Sequence, residues 1–190
     1  MSKRAFIRIL AAFAAVVGLV ATGVGSPAQA QAQEQKRRVG YTQVVVAPAV
    51  YDLIGSAGIT PAAVGGAKAF AYKGTLAARF PITGYSVGKL RIKHSGGISL
   101  SAGSANITLR RFNIDLGRLR VSGKVTGSAV GNAGRVDLFK IRLTDRPGLG
   151  LVKLQLTGTA AGALNATFGV NAFSAGDTFG YATPRPLGRF

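Results

Sequence analysis

The chain has no cysteine, no tryptophan, a single histidine and a single methionine, and its six acidic residues stand against 24 basic ones. Without cysteine there can be no disulfide and no thiolate metal site, so the fold is held by its core alone. One histidine, His94, excludes any centre that needs two imidazoles. A nucleophilic triad needs a base and an acid that orients it, and the acids near His94 in sequence are sparse. Asp52, Asp115, Asp137, Asp145 and Asp177 could supply the two carboxylates of a sugar hydrolase, but no spacing singles out a pair. No glycine run precedes Lys-Ser or Lys-Thr, so a phosphate-cradling loop is absent too. The expectation is a protein without catalysis, with a carbohydrate-active hydrolase as the third reading.

A membrane-spanning run is also missing, since about 20 apolar residues are needed. The apolar stretch from Ile9 to Val24 is shorter and is interrupted by Gly18, Thr22 and Gly23. It follows a positive segment (Lys3, Arg4, Arg8) and precedes Ala28-Gln29-Ala30, which has small residues at the two positions a signal peptidase reads. Residues 1–30 therefore read as a cleaved signal peptide, with Ala30-Gln31-Ala32 offering a second cut, and residues 31–40 as a disordered basic leader ending in Lys36-Arg37-Arg38. Residues 41–190 remain as one domain. Losing Lys3, Arg4 and Arg8 lowers the formal charge from +18 to +15. A secreted or cell-envelope protein of that charge faces anionic cell-wall polymers and membrane surfaces.

Much of the chain alternates apolar and polar residues with period two, the signature of strands with one face inward. Thr42 to Val46 reads as a first strand on different grounds, its three consecutive valines suiting β geometry. Leu90, Ile92 and His94 share one face, with Lys89, Arg91 and Lys93 on the other. Ile107 and Leu109 begin a further strand whose phase slips by one at Arg110-Arg111 before Phe112, Ile114 and Leu116, which predicts a β-bulge. A second slip separates Val136 and Leu138 from Phe139, Ile141 and Leu143. Residues 127–134 read as a loop, Pro81 as a strand edge or end, and Pro184-Arg185-Pro186 as the end of regular structure. Two short helices are predicted, one opening at Pro48 and stopped by Gly55 and Gly58, the other over Thr159–Phe168 with Thr159 as N-cap. The fold class is mainly β, an antiparallel sandwich or open barrel with two short helices covering its ends.

Phe80-Pro81-Ile82-Thr83-Gly84, the hairpin pattern after it and the late segment LTGTAAGALNATFG (156–169) together resemble the HtaA-like domain of secreted actinobacterial proteins. The resemblance spans roughly residues 42–183 and implies that domain's fold, with haem as the implied ligand. The chain departs from the family where haem is held. The opening motif with Trp-Gly has no counterpart, and Ala102-Gly103 stands where members often carry Gly-His.

The site residues follow from these readings. Tyr51, on the first predicted helix, is the candidate haem ligand, since phenolate ligates haem iron, with help from His94. His94 is otherwise a tucked strand histidine with a satisfied ring. Lys89, Arg91, Lys93, Arg118 and Arg120 form a candidate polyanion-binding face. That face lacks interleaved aromatic residues, so no specific nucleic-acid binding is expected. The leading expectation is an exported, non-enzymatic binding or cell-envelope domain with no cofactor, and haem binding is the alternative.

Overall fold

The computed structural model describes residues 40–186 and 190. The predicted signal peptide and nearly all of the leader lie outside them. The elements are β1 (Tyr41–Val46), α1 (Pro48–Ser56), β2 (Thr60–Val64), β3 (Lys68–Tyr72), β4 (Thr75–Ser86), β5 (Arg91–His94), β6 (Gly97–Ala102), β7 (Ala105–Asp115), β8 (Arg120–Gly127), β9 (Gly131–Leu143), β10 (Val152–Leu156), α2 (Gly158–Phe168) and β11 (Thr178–Arg185). Eight of these strands form a ring in the order β7-β5-β4-β1-β11-β10-β9-β8, and the β8–β7 pairing closes it. The expected barrel is therefore closed and not open. Closure leaves the ring no free edge. β6 continues the stave begun by β5, β2 pairs with β6, and β3 pairs with β4 outside the ring.

The barrel is filled by the inward residues of the alternating strands, among them Val46, Ala78, Phe80, Leu109, Phe112, Ile114, Val121, Phe139, Leu154 and Ala182. Both phase slips are bulges. On β7, Arg111 and Phe112 together oppose Gly123, with Arg111 at a φ of 51°. On β9, Leu138 is the extra residue between the Val121↔Phe139 and Ser122↔Asp137 pairs. Each bulge turns one more side chain inward, and Phe112, Leu138 and Phe139 are all buried.

Several expectations are corrected. Pro81 lies inside β4 and Pro184 inside β11. Both are tolerated because each sits where one neighbouring strand has run out. The β3 pairing ends at Arg79 and the β5 pairing starts at Ile82, while β10 pairs with β11 only as far as Ala182. Residues 128–130 are a tight turn and β9 already begins at Gly131. β2 was hidden in an Ala- and Gly-rich segment, where Pro61 suits a strand outside the ring.

The helices sit at one end of the barrel, not at both. β1 and β10 each pair antiparallel with β11, so they run the same way. They finish level with its start, where Val46 faces Gly180 and Gln155 faces Thr178. α1 follows β1 and α2 follows β10. α1 opens at Pro48 as expected, buries Val50 and Ile54, and ends with the Ile59 N–H donating back to the Ile54 carbonyl. The N-cap of α2 is Thr157, two residues before the expected Thr159. Its hydroxyl accepts from the Ala160 N–H (3.1 Å) and donates to the Asp137 carbonyl (2.8 Å). Gly169, at a φ of 65°, stops the helix.

Candidate functional site

His94 is the last residue of β5 and points into the barrel with 4% of its surface exposed. Its Nδ1 lies 3.1 Å from the Phe112 carbonyl and its Nε2 lies 2.7 Å from Thr42 Oγ1. A carbonyl can only accept, so Nδ1 carries the proton and Nε2 accepts from the Thr42 hydroxyl. Both ring nitrogens are thereby used. Burial pushes the imidazole down to about 4, against the smaller opposing effect of the Phe112 bond. The β7 bulge frees two carbonyls from the ladder. His94 takes that of Phe112, and Arg135 Nη2 takes that of Arg111 at 2.8 Å. The histidine thus completes the bulge from inside the barrel, and Arg135 completes it from outside.

Beside His94 the barrel holds a space of about 60 Å³, bordered by Val44, Phe80, Phe112, Ile114, Phe139 and Leu154. Sites for small organic ligands run to about 300–1,000 Å³, so this space does not take a group of haem size. A larger cavity, about 290 Å³, lies between α2 and the strands β7 to β9. The helix contributes Ala160, Gly162, Ala163 and Ala166 to it, small residues that keep the helix wall back from Leu138 and Phe179. The run of alanines in residues 160–166 is plain in the sequence, but nothing there distinguishes a cavity wall from ordinary helix packing.

Tyr51 stands on α1 with 37% of its surface exposed. It lies past the end of β1, whereas His94 bonds to Thr42 at the start of that strand. Four strand residues, about 13 Å, separate Thr42 from Val46, so the structure does not bring Tyr51 and His94 together. Tyr51 shares its end of the barrel with the cavity under α2. Phe179 connects the two, since its carbonyl accepts the Ala47 N–H at the entrance to α1 while its side chain lines the cavity.

The five basic residues do fall on neighbouring elements at the other end. Arg91 pairs in register with Asp115, and Asp115 with Arg120. Lys93 is two residues past Arg91 on the same outward face of β5, Lys89 is in the turn before β5 and Arg118 in the turn before β8. Two of them are engaged with carboxylates: Arg91 with Asp115 at 2.8 Å and Arg118 with Asp137 at 3.4 Å. The Arg118 backbone N–H, together with Arg91, holds the Asp115 carboxyl below the usual range. Lys153 does the same for Asp145 at 3.0 Å. Asp177 accepts from the Ser174 N–H at 2.7 Å. These acids serve turns and ion pairs, and among the described residues no three His, Asp or Glu side chains converge.

No protein-family model matches the sequence, and comparison with characterised protein sequences finds no relative. Two solved structures are similar. One is the haem-binding protein HtaB from Corynebacterium glutamicum, with a TM-score of 0.54 and 11% identity over 76% of this chain and 90% of that one. The other is the C-terminal domain of HtaA from the same organism, with a TM-score of 0.54 and 12% identity over 76% of this chain and 94% of that one. The chain has an HtaA-like fold.

Proposed function

We propose that this protein binds haem at the helix-capped end of its barrel, and that it acts as a binding protein without catalysis. The observation that carries the reading is the shared fold with a haem-binding protein over 76% of the chain. Tyr51 supports it, as an exposed phenol on a helix at that end, and the apolar cavity under α2 offers a place for the edge of a macrocycle. Bound haem would supply a ferric iron that favours an anionic oxygen donor. Tyr51 would hold that iron. His94 would not, because both its nitrogens are already used within the fold. Titration with haemin tests this. A Soret shift is expected that is lost in Tyr51→Phe. A shift that survives Tyr51→Phe moves ligation elsewhere, and no shift with the unaltered protein removes the reading.

A second reading concerns where the protein works. We propose export through residues 1–30 and retention near anionic wall polymers through the basic face. Among the described residues no carboxylate pairs with Lys89, Lys93 or Arg120, which supports it. Retention on isolated cell walls should then fall steeply as salt rises. Equal retention in high salt would remove the electrostatic account.

A further inference from the structure

The barrel end opposite the helices is formed by the turn between β4 and β5, the turn between β7 and β8, and the start of the connection between β9 and β10. β4, β7 and β9 all finish there, because each runs antiparallel to strands that finish at the helix end. The turns are joined: the Leu116 N–H donates to the Leu90 carbonyl (3.0 Å), and the Ile141 N–H donates to the Leu119 carbonyl (2.9 Å). Six large apolar side chains are exposed on this end, namely Val87, Leu90, Leu116, Leu119, Leu143 and Leu151. Val87 is 82% and Leu143 is 89% exposed. Apart from tyrosines, these are all the exposed large hydrophobic residues among the described ones. Scattered single leucines are ordinary on a protein surface, but their confinement to one end is not.

Two of the six are also held in an unfavourable backbone conformation. Leu90 has a φ of 46° and Leu119 a φ of 50°, the left-handed region where glycine or asparagine is at home. Both are about half exposed, so burial within the fold does not offset that strain. Around these tips stand Lys89, Arg91, Arg118, Arg120 and Arg142, while the nearby Asp115 is occupied by Arg91 and the Arg118 N–H. Apolar tips inside a basic surround match an anionic bilayer, with the hydrocarbon boundary for the leucines and phosphates for the cations. A soluble polyanion would use the cations and leave the leucines in water.

We propose that this end of the barrel docks on the surface of an anionic lipid bilayer, with Val87, Leu90 and Leu119 inserted at the headgroup boundary. The inference is independent of haem binding. It rests on the same basic face as the proposed retention at the envelope but makes lipid, in place of wall polymer, the anionic partner, and it puts the opposite, helix-capped end away from the membrane.

The test is co-sedimentation of residues 31–190 with vesicles. This piece contains the whole closed barrel and its core, and it omits the apolar segment before residue 25, which could bind lipid by itself. The vesicles are phosphatidylglycerol mixed with phosphatidylcholine, compared with phosphatidylcholine alone. Binding to the anionic vesicles is expected. A Val87→Ser, Leu90→Asn, Leu119→Asn variant keeps the charge, and it should bind at least about ten-fold more weakly, given the apolar surface removed. Its melting temperature should not fall, because asparagine suits both left-handed positions. The proposal is overturned if the unaltered protein does not bind. It is also overturned if the variant binds anionic vesicles as well as the original does; equal binding of both to soluble polyphosphate would then mark the end as a general polyanion surface.

Discussion

At the scale of single residues, the lone histidine, a candidate for ligand chemistry by its residue type, is tied into the wall of the barrel. Its ring must be neutral to accept from Thr42, and burial keeps it so, with a folded value of about 4 against an ordinary 6.5. Below pH 6.5 the unfolded chain takes up a proton that the folded chain refuses. Stability is thus complete above that pH, falls as the pH drops, and is lower by about 3 kcal/mol near pH 4. Asp115 and Asp145 are held below the usual carboxylate range, so their own losses begin at lower pH. Urea unfolding between pH 7 and 4.5 should show this slope, and His94→Gln should flatten it while lowering stability at pH 7. An unchanged slope in that variant would assign it to other groups.

At the scale of elements, what was legible in the sequence was whatever repeats along a strand. Alternation located β5 and β7, a run of valines located β1, the one-residue slip at Arg110-Arg111 predicted one bulge, and the slip after Leu138 marks the place of the other. Contacts between distant elements left no such trace. Nothing in the sequence around Thr42 signals that its hydroxyl meets a ring 52 residues away. The alternation of β9 and β10 does not say that their strands close on β8 and β11. Pro81 and Pro184 misled for the same reason: whether a strand proline is tolerated depends on which neighbour has run out. Glycine shows the limit clearly at Gly97, where the stave passes from β5 to β6. A Cβ there would collide with the Leu109 carbonyl and lie 2.8 Å from Arg110 Cα. Gly97→Ala should lower stability by about 3 kcal/mol, the upper end for overpacking against rigid neighbours. Gly84→Ala, with nothing within 4 Å, should change it by less than about 0.5 kcal/mol. Denaturant midpoints of the two variants decide whether crowding at Gly97 is what specifies the crossover, and equal midpoints would refute it.

At the scale of the whole molecule, the dominant fact is charge of one sign, 24 basic residues against six acidic. Three ion pairs are formed among the described residues, each with at least one partner substantially exposed, and such pairs contribute only about 0–1 kcal/mol apiece. Self-repulsion among the remaining cations acts against the folded state, because the compact barrel holds them closer than the unfolded chain does. Salt should therefore stabilise the fold and weaken its attachment to anionic surfaces, two effects of opposite sign from one cause. Raising sodium chloride from about 0.01 M to 0.3 M shortens the screening length from about 30 Å to less than 8 Å. Over that range the melting temperature should rise while retention on anionic vesicles or walls falls. A melting temperature that drops with salt would mean that the ion pairs outweigh the repulsion. If retention persists at 0.3 M but is lost when Val87, Leu90 and Leu119 are replaced, the apolar tips, more than the charge, hold the protein at the surface.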